Sequence, residues 1–174
     1  MRLGIDRYDD QIAAVGANTL LIYGEAGTGR TRLALRSCLL EIKGGGRALY
    51  MSKGLPRLDE GMLEGDCNGL WIGSFLSPAQ IPPVIAAVSP SLTVVDPINS
   101  WVECSPLLPS IRNLSLALFE ILQAAEKAKS ELILIGDVIN SGEELKPRYY
   151  SVIKRYCDLV IGLKKDERFK EKRE

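Results

Sequence analysis

At 174 residues, 46% of them hydrophobic and 25% charged, the chain is long enough for one domain with a real core and has the balance of an ordinary soluble globular protein. Basic and acidic residues both number 22, and the formal net charge of zero excludes an overall field drawing the chain to nucleic acid or to a membrane. No apolar run reaches the length of a membrane span and Met1 to Asp6 lacks a signal-peptide core, so a cytoplasmic protein without membrane contact is expected.

In chain order, Leu20 to Tyr23 is a short apolar run that reads as a buried strand. Gly24-Glu25-Ala26-Gly27-Thr28-Gly29-Arg30-Thr31 follows, and Thr31 to Lys43 reads as a helix with Ala34, Leu35, Cys38, Leu39 and Ile42 on one face. Gly44-Gly45-Gly46 stops that helix, and Arg47 to Met51 reads as a second strand. Residues 52 to 69 are loop-rich, with a short helix expected around Leu58 to Leu63. Leu70 to Gly73 is a third strand. Ser77-Pro78 has the form of a helix N-cap followed by a first-turn proline, ahead of a stripe at Ile81, Ile85 and Val88 whose start Pro82 and Pro83 make irregular.

Leu92 to Asp96 reads as a buried strand ending in a carboxylate, and Pro97 to Pro109 as a loop with Trp101 half-buried. A long helix from about Ser110 to Lys129 takes its apolar side from Ile111, Leu114, Leu118, Leu122 and Ala125. Glu131 to Gly136 is a further strand, Pro147 opens a helix ending near Tyr156, and Asp158 to Leu163 is the last strand. Strands that alternate with helices, and whose apolar runs are continuous, predict an α/β fold: a mostly parallel twisted sheet with helices on both faces. A single domain over residues 1–163 is expected, with 164–174 a charged, frayed tail.

The segment Gly24 to Thr31 carries the chemistry. It fits the phosphate-loop (Walker A) pattern at every fixed position except one: Arg30 stands where lysine is expected. Glycines let backbone N–H groups turn toward an anion, and the helix N-terminus adds partial positive charge. Arginine keeps the charge and can fork onto phosphate, but it is bulkier and planar. Nucleotide binding survives that exchange more readily than positioning of the γ-phosphate does. A phosphate loop also needs a carboxylate at the end of a neighbouring strand. Asp96 supplies one, and with the Thr31 hydroxyl it would hold Mg²⁺ beside ATP. The plainer reading of Asp96 is a turn starter before Pro97.

Elsewhere the chain offers little for other chemistries. It has no histidine, which removes the commonest general base and any Ser-His-Asp arrangement. Cys38, Cys67, Cys104 and Cys157 are scattered, so no zinc cluster is expected, and Cys38 and Cys157 read as small hydrophobes.

Several stretches together make the chain resemble the ATPase core of the RecA/RadA recombinase superfamily, closest to the small archaeal RadA paralogues of the RadB type and their KaiC-like relatives. Besides Gly24 to Thr31 and Asp96, Leu3 to Ile12 is similar to the segment preceding the phosphate-loop strand in that family. Arg112 with Leu114 to Leu118 resembles the opening of the helix after the Asp strand, Ile133 to Val138 the sensor strand, and Tyr156 to Lys165 the closing segment. The resemblance implies a RecA-like fold and a DNA-linked ATPase.

The departures from that family matter equally. Its water-activating Glu follows the second strand, where this chain continues Ser52-Lys53-Gly54; Glu60 is the nearest carboxylate and is poorly spaced. The polar sensor falls at Gly136 and Asp137, with Asn140 nearby, and an acidic Asp137 facing a γ-phosphate would repel it. The counterpart of the second DNA-binding loop, about Ile139 to Lys146, carries Glu143-Glu144 and no aromatic residue, so base stacking is not available there. Trp101 and Arg112 remain near the other loop, beside Glu103. Arg148, Lys154, Arg155, Lys164 and Lys165 form a basic C-terminal region that could contact DNA or a partner, or serve as a solvated face. Lys154 and Arg155 also suit a helix C-terminus. No polymerising Phe-x-x-Ala segment is found, so a long filament is not expected.

Three readings follow. One is a RadA-paralogue accessory protein of homologous recombination and DNA repair, holding ATP weakly or statically with little or no hydrolysis and modulating a RadA-type recombinase or single-stranded DNA. Another is an active ATPase with Arg30 in the lysine's role, and the third a nucleotide-free interaction module.

Overall fold

The computed structural model describes residues 1–54, 67–99, 111–138 and 146–164. Six strands build one sheet: β1 (Thr19–Gly24), β2 (Ala48–Ser52), β3 (Leu70–Ser74), β4 (Leu92–Asp96), β5 (Glu131–Asp137) and β6 (Leu159–Leu163). Their spatial order is β3-β2-β4-β5-β1-β6, and every pairing between them is parallel. Around the sheet lie α1 (Asp6–Val15), α2 (Arg30–Lys43), α3 (Ile81–Val88), α4 (Ile111–Ala128) and the short α5 (Tyr150–Ile153).

The continuous apolar runs explain themselves once both faces are covered. Successive side chains of a strand point to opposite faces. Leu20 and Ile22 of β1, Tyr50 of β2 and Ile133 and Ile135 of β5 join one core with Tyr8 and Ile12 of α1 and Leu35 and Cys38 of α2. Leu21, Leu49, Met51, Leu132 and Leu134 join the other, with Ile81 and Ile85 of α3, Leu114, Leu118 and Ile121 of α4, and Ile153 of α5. Each such aliphatic side chain, taken fully out of water, contributes roughly 1.5–3 kcal/mol.

Chain direction sorts the helices. From β1 the chain crosses via α2 toward the β3 edge, and from β3 onward it returns through α3, α4 and α5 toward β6. Right-handed crossovers run in opposite directions place their helices on opposite faces, which matches the two cores. Because all strands are parallel, the ends of β1, β2, β4 and β5 share one edge of the sheet, where ligands of open α/β sheets are bound.

Several local expectations need correction. α1 is a helix that the periodicity leaves unassigned. In α2, Leu39 and Ile42 are only partly buried, whereas Leu33 and Ser37 are buried, the Ser37 hydroxyl donating to the Arg2 carbonyl at 2.6 Å. In α4, Ile111 is 57% exposed and the buried side runs through Leu114, Ala117, Leu118, Ile121 and Ala125. Pro147 does not open a helix; it bridges to Val138, and α5 begins at Tyr150 after Tyr149 at φ 62°. Ser77 does cap, through a reciprocal box with Gln80, but onto a single 3₁₀ turn (Pro78–Gln80) that runs into α3. The helix expected at Leu58 to Leu63 lies outside the described residues.

Candidate functional site

β1 ends on Gly24, and the chain passes through residues 25–29 into α2. A side chain at Gly24 would bring its Cβ within 2.6 Å of the Leu163 carbonyl oxygen and 2.7 Å of Thr28 Oγ1, so only glycine lets the loop leave this close to β6. The Thr28 backbone N–H and hydroxyl both donate to the Glu25 carbonyl, at 3.2 and 2.8 Å, which curls the loop back on itself. Gly29 then enters α2 at φ 84°, in the left-handed region that other residues avoid. The first turn of α2, carrying Arg30 and Thr31, presents N–H groups that have no acceptor within the helix.

Thr31 meets Asp96. Its hydroxyl donates to Asp96 Oδ2 at 2.8 Å, joining the start of α2 to the end of β4 across the intervening β5. A hydroxyl and one carboxylate are hard oxygen donors of the kind that hold Mg²⁺ jointly with phosphate and water, so the pair fits that ion. A third group shares the carboxylate: Tyr50, fully buried on β2, donates its phenol hydroxyl to the same Oδ2. Burial, reinforced by the charge of Asp96 and by this hydrogen bond, pushes the Tyr50 phenol well above its ordinary range. Tyr50 is therefore a permanent donor here.

Arg30 turns across the sheet edge. Its Nη1 donates to Asp137 Oδ1 at 2.5 Å and to the Gly136 carbonyl at 2.6 Å. The reach follows from register, because Asp137 on β5 is the direct partner of Gly24 on β1. The Arg30 side chain is 12% exposed and that of Asp137 is 47% exposed. Asp137 is itself held: its backbone N–H donates to Asn99 Oδ1 at 2.9 Å and its carbonyl accepts from Asn99 Nδ2 at 2.8 Å. Asn99 is 3% exposed and lies in the segment leaving β4, where Ile98 N–H also donates to the Ile135 carbonyl at 2.8 Å. Asp137, expected as an acidic residue at the sensor position, is ion-paired to Arg30.

At the end of β2, Ser52 is the register partner of Asp96. Its hydroxyl turns to the Gly54 carbonyl, and the Lys53 N–H donates to the Asp96 carbonyl at 3.1 Å. No carboxylate stands at these two positions. Glu60, Trp101, Glu103, Glu143 and Glu144 lie outside the described residues, as do Asn140 and Lys165.

Of the other basic candidates, Arg112 is exposed in the first turn of α4, and Arg155 and Lys164 are exposed near β6. Arg148 lies 5.2 Å over the Tyr149 ring, and Lys154 and Lys146 lie 5.5 and 5.7 Å from the Tyr150 ring centre. Tyr150 in turn meets Tyr23 of β1 edge-to-face at 5.7 Å. Sequence reasoning missed Tyr50 and Asn99. The available signals were a phenol inside an apolar strand and an amide three residues beyond the strand-ending Asp96.

The chain matches no protein-family model and no curated protein sequence. Among the described residues no helix is long and apolar enough to cross a membrane.

Proposed function

We propose that the chain is a RecA-like, P-loop nucleotide-holding accessory protein of the RadA-paralogue type. In this reading it retains a bound nucleotide with little or no hydrolysis and acts in homologous recombination on a RadA-type recombinase or on single-stranded DNA. The observation that carries the nucleotide clause is the 2.8 Å contact between Thr31 at the start of α2 and Asp96 at the end of β4, beside a glycine loop that curls at the N-terminus of a 14-residue helix. Thr31 and Asp96 would hold Mg²⁺, which when bound neutralises phosphate charge. The N–H groups of the loop and of the first helical turn would orient the phosphates.

Slow or absent turnover is supported by two features. Ser52 and Lys53 leave the end of β2 without a carboxylate to orient a water, and the Arg30 guanidinium is engaged by Asp137 and Gly136. The DNA clause is supported more weakly, by the cations gathered on Tyr149 and Tyr150. Contacts of that kind to phosphate are salt-sensitive. A nucleotide-free interaction module is the second reading, favoured by the internal pairing of Arg30.

Calorimetry with Mg²⁺-nucleotide, followed by steady-state ATPase assays with and without single-stranded DNA, tests the proposal. Mg²⁺-dependent binding that Asp96→Asn weakens about tenfold or more, with turnover no faster in wild type than in the variant, is the expected result. Undetectable binding at millimolar nucleotide assigns the protein to the interaction-module reading. Clear turnover abolished by Asp96→Asn makes it an active ATPase. Gel shifts at low and high salt, and pull-down with a RadA-type recombinase, read out the partner clause.

A further inference from the structure

We propose that the Arg30–Asp137 pair makes this a site for nucleoside diphosphates, one that disfavours triphosphates. The inference rests on the phosphate-loop reading above. In the standard loop the lysine reaches the β- and γ-phosphates. Here the corresponding cation is drawn to the end of β5, where Nη1 is shared between the Asp137 carboxylate and the Gly136 carbonyl. Asp137 is the register partner of Gly24, the residue on which the loop begins, so its negative charge stands at the mouth of the loop.

A carboxylate ion-paired to that arginine occupies electrostatically the place a terminal phosphate would take. A diphosphate can lie along the loop and the first turn of α2 and leave this pair intact. A triphosphate adds a further dianionic group. To gain the donor that Asp137 holds it must displace that carboxylate, and if it does not, the added phosphate must sit beside an anion. Asp137 cannot readily swing away with its strand, because Asn99 clamps both its N–H and its carbonyl. Its side chain is about half exposed, so water screens the repulsion and the selectivity is moderate. Arg30 serves as well as it does because a guanidinium has five donors: the nitrogen held by Asp137 still leaves others on the fork for a β-phosphate, which a lysine ammonium in the same grip would match less well.

The test is calorimetry of Mg²⁺-ADP and Mg²⁺-ATP on the full chain and on Asp137→Asn, a substitution that keeps the backbone groups Asn99 holds. Wild type is expected to bind ADP about tenfold more tightly than ATP, a difference on the scale of one screened like-charge contact. In Asp137→Asn the ATP affinity rises to that of ADP. Equal affinities in wild type, or tighter binding of ATP, overturn the proposal while leaving the phosphate-loop reading standing. An ADP preference that Asp137→Asn does not change overturns it as well, by removing Asp137 as the cause. Absence of detectable binding of either nucleotide to either protein overturns the phosphate-loop reading, and the selectivity with it. The wild-type ratio needs no variant, so a poorly folding substitution does not shield the proposal.

Discussion

Asp96 Oδ2 accepts hydrogen bonds from two hydroxyls of different origin, Thr31 at a helix start and Tyr50 inside a strand. The Tyr50 bond is part-buried and made to a carboxylate, the class of hydrogen bond worth about 1.5–3 kcal/mol. Tyr50→Phe removes the donor without leaving an unpaired one, since Asp96 keeps Thr31. It is expected to lower stability by about 1.5–3 kcal/mol in urea denaturation, with the slope of the transition unchanged. A drop below about 0.5 kcal/mol would show the contact to be energetically idle. At this scale the sequence was only partly legible. Gly24 to Thr31 and Asp96 announce themselves by residue type and spacing. The partners that fix them do not: Arg30 finds Asp137 at a separation of 107 residues, and Asn99 finds the same residue at 38, through sheet register that no local pattern encodes.

Strands were the most readable elements, because the inner strands, buried on both faces, must be apolar throughout, and each expected strand, the more exposed β3 and β6 included, lies within two residues of the observed one. Helix faces were less so. Ile111, Leu114 and Leu118 share an angle around α4, yet Ile111 is 57% exposed and Leu114 and Leu118 are fully buried. Periodicity gives direction around the axis; whether a neighbour stands there at a given height depends on the fold. Ile121, also fully buried, was missed because the stripe was centred on Ile111 and Leu122, whereas the buried side is turned toward Leu114 and Ala117. A matched pair of substitutions on this helix measures the difference. Leu118→Ala should cost about 2–5 kcal/mol by cavity formation, and Leu116→Ala, at 56% exposure, should stay within about 0.5 kcal/mol of wild type. Denaturant midpoints of the two variants check this, and comparable losses would contradict the packing described for α4.

For the molecule as a whole, the α/β class and the two covered faces followed from continuous apolar strands alternating with amphipathic helices, while strand order did not, because periodicity carries no information on neighbours. The burial of titratable groups sets an alkaline limit. Desolvation raises the Cys38 thiol from its ordinary 9.0 to about 12 and does the same for Cys157, while Tyr50 rises in the same sense. These groups are neutral when protonated, so the folded state keeps protons that the unfolded chain releases. For the two thiols the stabilisation is fully present below pH 9.0 and is lost as pH climbs toward about 12, while that of Tyr50 declines only above its ordinary 10.0. Cys38, fully buried, contributes to the fall in stability across that interval. Urea midpoints measured from about pH 8 to about pH 11 should decline, and Cys38→Ala should flatten the decline even though its starting stability is lower. A slope unaffected by that substitution would exclude Cys38 as a source.

The position of β5 has a consequence for how the chain is assembled during synthesis. Spatially it is a central strand, between β1 and β4, but it is the fifth of the six to be made. When β4 leaves the ribosome, β1 and β4 are both present with a vacancy between them: β4 has only β2 beside it, and β1 has neither of its final neighbours. Arg30, already in place on α2, has no counter-charge until Asp137 arrives at the tip of the strand that fills the gap. The early glycine loop thus waits on a late strand for its electrostatic completion.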